Sequence, residues 1–126
     1  MSVTIKDHTK EFSQASNRQV EVALTESAIV AEGESIIRCP VDTGHLRGSI
    51  SFRTHDTGDN KPDGLSGHPS VGTAVIGTNV EYAPYVEYGT RYQKAQPFLT
   101  QGMMAAVPKI VEIFRRRVGE VSIRRS

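Results

Sequence analysis

Tryptophan is absent from this chain of 126 residues, cysteine occurs once, and tyrosine and phenylalanine occur four times each. Without large aromatics the interior has to be aliphatic, and a hydrophobic share of 37% keeps it modest. A chain of this length buries one core unaided, but a modest core suits a subunit that gains stability from its neighbours. The lone Cys39 can form neither an intrachain disulfide nor a CxxC site, which points to a reducing, intracellular place of synthesis. No run of eighteen apolar residues is present, so no helix is expected to span a membrane. The opening residues, MSVTIKDHTKEF, lack the apolar centre of a secretory signal. A net charge of +1 argues against a dedicated DNA binder.

That near-neutral total hides an asymmetry. Residues 1–38 carry four basic and six acidic side chains, whereas residues 109–126 carry six basic and two acidic ones. Such a gradient can set the polarity of head-to-tail contacts, although a solvated surface is the commoner cause.

What the sequence does concentrate is tyrosine. Tyr82, Tyr85, Tyr88 and Tyr92 all fall within Gly77–Phe98, reading GTNVEYAPYVEYGTRYQKAQPF. Pro84 suits the first turn of a helix, where a missing N–H costs nothing, and Gly89 suits its left-handed stop. Tyr82, Tyr85, Val86 and Gly89 then share one face of about two helical turns. A tyrosine ring with a polar tip fits a half-buried seam better than a dry core. Two readings follow: a core helix with tyrosines at its edge, or a protein–protein interface.

The remaining elements read as an α+β domain spanning 1–126. A long helix is predicted from Thr9 to Arg38. Ala15, Val22, Ile29 and Ile36 recur every seven residues beside Ala23, Val30 and Ile37, forming one apolar stripe meant for a sheet. Gln19 and Glu26 break the second seam of a coiled coil. Pro40 ends the helix, and Cys39 is biased away from helical geometry. In the following CPVDTGHLRGSI, Asp42 or Thr43 can cap a short helical turn, with Leu46 and Ile50 facing the core, and Gly44 resists substitution if it uses positive φ. Asp42-Thr43-Gly44 is also the triplet of aspartic-protease loops. The apolar strand that should precede it is missing, and a single copy could act only across a homodimer, so a cap is the favoured role. Ser51–Thr54 and Val71–Thr78 pair as an antiparallel hairpin. The polar loop between them, about 55–70, is expected to be mobile because Leu65 is its one large apolar residue. His55, His68 and three aspartates sit in that loop without the spacing of a metal site. Pro97 opens a last helix whose buried face is Leu99, Met103, Val107, Ile110, Phe114 and Val118. Pro108 should kink or split it, and Gly119 should end it before a tail at 119–126. No catalytic, cofactor or metal constellation is predicted.

The ordered blocks PVDTGHLRGSI, IGTNVEYAPYVEYGT and AQPFL, from about Val22 to Met104, resemble the small head–tail joining or tail-completion proteins of long-tailed bacteriophages. The resemblance implies a structural α+β virion protein of the phage neck, made in the host cytoplasm. It implies a homo-oligomeric ring, taken as hexameric, between a connector or head-completion ring and the tail terminator or tail tube. DNA would pass through the lumen without sequence-specific binding. Pro40, Val41, Asp42, Thr43, Gly44, Leu46 and Arg47 correspond to the structural turn. Tyr82, Pro84, Tyr85, Tyr88, Gly89 and Phe98 are the candidate subunit interface, and Thr57, Asp59, Lys61 and Leu65 the candidate partner-contacting loop. A tail terminator, a DNA-contacting module drawing on the basic C-terminal end, and a small hydrolase are the competing readings.

Overall fold

The computed structural model describes residues 1–6, 17–40 and 44–118. The elements run β1 (Ser2–Lys6), α1 (Asn17–Arg38), α2 (Gly44–Ser49), β2 (Ser51–Thr54), β3 (Thr73–Gly77), α3 (Ala83–Tyr88) and α4 (Phe98–Val118). Three antiparallel strands in the order β1-β3-β2 form a sheet on which the two long helices pack, an α+β fold as expected. The β2–β3 hairpin is in register Ser51 with Gly77 through Thr54 with Ala74.

Strand β1 was not expected. Val3 and Ile5 lean on the core while Ser2 and Thr4 face out, the period of a half-buried strand. Its approach makes Gly77 obligatory: a Cβ there would lie 2.0 Å from the Met1 carbonyl oxygen and 2.7 Å from Ser2 Cα. The same join is closed by the Thr78 N–H donating to the Met1 carbonyl at 2.9 Å.

The stripe foreseen on α1 is displaced. Its fully buried line is Val20, Ala23, Leu24, Ser27, Ala28, Ala31 and Ser35, while Ile29 and Ile37 are exposed and Val30 and Ile36 pack on the core only in part. The reason lies in α4, which runs antiparallel to α1 and comes very close to it. At Gly102 a Cβ would sit 2.4 Å from Ser35 Oγ and 2.7 Å from Ser35 Cα, so only small residues fit between the helices. Ile29 and Ile37 lie on the outside, while Val20 and Leu24, farther along α1 from that crossing, stay buried. Residues 7–16, including the first part of the expected helix and Ala15, lie outside the described residues.

Charge follows the same pairing. Lys109 donates to Glu34 at 2.6 Å, and Arg116 and Arg117 both reach Glu26. The Lys109 hydrogen bond, followed by that of Arg38, holds the Glu34 carboxyl below its ordinary range. The acidic first helix and basic last helix thus meet within one chain, and these pairs draw on much of the gradient seen in the sequence.

Helix α4 has most of its expected face: Leu99, Ile110 and Phe114 are buried and Met103 packs on the core, with Phe98, Ala106 and Ile113 added. Pro108 does not split it. Both Pro108 and Met104, whose carbonyl loses its helical partner, are exposed, so water can take that carbonyl's hydrogen bond. Gly119 and the expected tail lie outside the described residues.

The helix contact gives a direct test. Gly102→Ala should lower stability by about 1–3 kcal/mol, because the neighbouring atoms include backbone that cannot step aside. Ser35→Ala, which deletes a buried hydroxyl that has no hydrogen-bond partner among the described residues, should leave stability equal or slightly higher. Denaturant unfolding of both variants measures the difference, and a Gly102→Ala protein as stable as the parent would contradict the close approach.

Candidate interaction surface

Helix α3 forms where expected, with proline in its first turn and Gly89 following it at φ 79°. A side chain at Gly89 would be strained by that φ and would also meet the Ala95 backbone nitrogen at 2.7 Å. The helix buries Ala83, Val86 and Glu87 and turns its tyrosines outward. Tyr82 is 37% exposed, Tyr85 60%, Tyr88 72% and Tyr92 89%. Arg91 lies 5.5 Å over the Tyr92 ring, and Lys94 is exposed beside it. Phe98, grouped with these residues from sequence, is 1% exposed and belongs to the core. Pro84 is exposed and Gly89 half-buried, so the surface is made by the four tyrosines with Pro84 among them.

The residue that sequence reasoning passed over is Glu87. Its side chain is buried, and its Oε1 accepts the Leu99 N–H at 2.8 Å in the first turn of α4. Helix N-termini present unpaired N–H groups and a positive dipole end, so a carboxyl group there supplies both an acceptor and favourable charge. The Gln96 N–H donates to the Val86 carbonyl at 2.8 Å and closes the same corner. The tyrosines are thereby carried on a short helix locked to a long one. A carboxyl side chain amid Ala83, Val86 and an upcoming proline-led helix was the available signal.

At the turn segment, Val41, Asp42 and Thr43 lie outside the described residues, and with them the expected cap. Leu46 is fully buried and Arg47 partly so. Gly44 opens α2 without a positive φ, and a Cβ there would meet open space, so glycine is not demanded as expected. Pro40 and Cys39 follow the end of α1, with Cys39 buried.

The loop at 55–70, expected to be held by little, is tied to β2 by polar bonds. Asp59 Oδ1 accepts the Phe52 N–H at 2.9 Å, and Ser51 Oγ accepts the Leu65 N–H at 2.7 Å. Lys61 Nζ donates to the Ile50 carbonyl at 2.7 Å and stands 3.4 Å from Glu32 and 3.6 Å from Asp59. Arg53 Nε donates to the Gly67 carbonyl, and His45 meets Asp63 at 2.8 Å. Thr57 turns back on Thr54. All four residues proposed to contact a partner therefore commit polar groups to this chain, Thr57, Asp59 and Leu65 to β2 and Lys61 to Ile50 just before it. Composition alone missed this because it counts apolar burial and not side-chain bonds to backbone.

Beneath that loop, burial and then the hydrogen bond and charge of Asp59 push the Glu32 carboxyl up to about 8, with Lys61 acting in the opposite direction. The folded chain therefore keeps a proton on Glu32 that the unfolded chain releases near its ordinary value of 4.5. This contribution is fully present below that value and is lost as pH rises through about 8.

Among the described residues no helix is long and apolar enough to cross a membrane. A family model described as "Bacteriophage HK97-gp10, putative tail-component" matches residues 4–89, a span that takes in the last part of β1, α1, the turn, the hairpin and the tyrosine helix. Neither curated proteins nor solved structures yield a match.

Two substitutions check this region. Glu87→Ala should cost about 1–3 kcal/mol by orphaning the Leu99 N–H, with Glu87→Gln, which keeps an acceptor, costing clearly less; equal losses would contradict the capping role. Glu32→Gln should raise the melting temperature at pH 9 and leave it nearly unchanged at pH 4. A variant that keeps the parent's pH dependence would remove Glu32 as its source.

Proposed function

The chain belongs to the HK97-gp10-like family of bacteriophage tail components, and from that premise we propose that it is a ring-forming structural subunit at the head–tail junction, working by assembly and without turnover. The observation that carries the reading is the set of exposed tyrosines on and around α3, a helix tied to α4 by Glu87. Aromatic side chains with polar tips are enriched at protein interfaces, where few residues supply most of the binding energy.

The neighbours in this reading are a second copy on each side, the connector or head-completion ring above, and the tail terminator or tube below. DNA-contacting function has less support once the cations are seen in place. Lys109, Arg116 and Arg117, which lent the C-terminal end its basic character, are partnered by Glu34 and Glu26.

Truncation of the tyrosines separates assembly from folding. Tyr85→Ala and Tyr88→Ala should each leave monomer stability within about 0.5 kcal/mol, as exposed positions do. In a phage complementation assay, unjoined heads and tails should accumulate with at least one of them. If both variants melt early and the folded remainder joins normally, the tyrosines serve the fold and the reading fails.

A further inference from the structure

Strand β2 lies at an edge of the sheet, and residues 57–59 run along it as a cover. The Thr54 N–H donates to the Thr57 carbonyl at 2.7 Å, and the Asp59 N–H to the Phe52 carbonyl at 3.3 Å. Gly58 bridges to Arg53 between them. Glycine is needed there, because a Cβ would stand 2.7 Å from the Phe52 carbonyl oxygen. No residue from His55 to Ser70 is fully buried, so the segment adds little to the core. Polar bonds hold it over a strand edge, and a segment held that way can leave while the core stays folded.

A cluster of three side chains joins this cover to the long helix. Glu32 comes from α1, and the charged groups facing it are Asp59 and Lys61 of the segment. Lys61 Nζ donates to the Ile50 carbonyl at 2.7 Å and stands farther from the two carboxyl groups, at 3.4 and 3.6 Å. One cation balances one carboxylate, and the second needs a proton. As a carboxylate, Glu32 would leave its Oε2 buried with no donor among the described residues, a costly state. With a proton, Glu32 has a donor of its own, and Asp59 accepts it. That hydrogen bond between carboxyl groups ties the segment to α1, and it exists only while the proton is in place.

We propose that a proton shared between Glu32 and Asp59 latches the 57–65 segment over the β2 edge, and that its loss releases the segment while the core stays folded. What the release uncovers is a strand edge with unpaired main-chain groups, the kind of surface to which another strand can add. The direction with pH follows from the two states. Closed, the Glu32 carboxyl holds its proton up to about 8. Open, it regains water and loses Asp59, so it releases the proton nearer its ordinary 4.5. The closed state's advantage is therefore fully present below that value and is lost as pH rises through about 8.

Amide hydrogen exchange across pH, corrected for intrinsic rates, tests the latch on three reporters. The N–H groups of Phe52, Thr54 and Leu65 are protected by bonds between β2 and the segment. Their protection should fall by up to about tenfold per pH unit as pH approaches 8 and level off above it. At every pH it should stay below that of buried α4 amides such as Ile110. Glu32→Gln should flatten this dependence, and so should Asp59→Asn, which keeps an acceptor for the Phe52 N–H and can donate to Glu32 without a titrating proton. A Glu32→Gln chain with the parent's slope would overturn the proposal. Reporters as protected as Ile110 throughout would also overturn it, because the segment would then open only when the whole domain unfolds.

Discussion

The contact on which the rest depends is the close passage of α1 and α4 at Ser35 and Gly102. A core with few aromatics can be filled at native density only if its helices come close, and closeness excludes bulk from the line between them. Small residues therefore hold the centre of α1, and the isoleucines that would suit a looser packing appear on its outer side. The antiparallel arrangement also brings the glutamates of the first helix against the cations of the last. Exposed pairs of this sort contribute little individually, so they bias register and orientation more than they add stability.

The position of α4 in turn sets that of α3. Its first turn needs an acceptor, Glu87 provides it from the buried side of α3, and the opposite side of the same short helix has to face outward. A helix of six residues has little stability of its own. Here it is fixed by a proline at its start, a positive-φ glycine after its end and a carboxyl group shared with its neighbour. The tyrosines are thus preorganised, which lowers the entropy lost when a partner binds.

Much of this was legible in the chain, and the misses share a cause. The hairpin, the proline-led α3 and the face of α4 followed from turn residues and spacing, because local chemistry decides them. The identity of α1's buried face did not, since periodicity ranks residues by hydrophobicity while the close passage of α4 calls for a small residue at Ser35. Strand β1 was written in the alternation of Val3, Thr4 and Ile5, but a strand of five residues has no local signature that outweighs a neighbouring helix. The bonds by which Asp59, Lys61 and Ser51 tie the 55–70 segment to backbone cross distances in sequence that no motif encodes. For the candidate surface, sequence showed where the tyrosines were, while only the structure separated them from Phe98 and revealed Glu87 behind them.

The central claim is that the tyrosine face is an outer surface of the subunit which becomes covered on assembly. Hydroxyl-radical footprinting of the free protein and of the assembled virion measures this residue by residue. The account predicts that Tyr85, Tyr88 and Tyr92 are readily modified in the free subunit and that Tyr85 and Tyr88 are strongly protected in the particle, while Phe98 is protected in both. Tyrosines unreactive in the free subunit, or equally reactive in the particle, would contradict it.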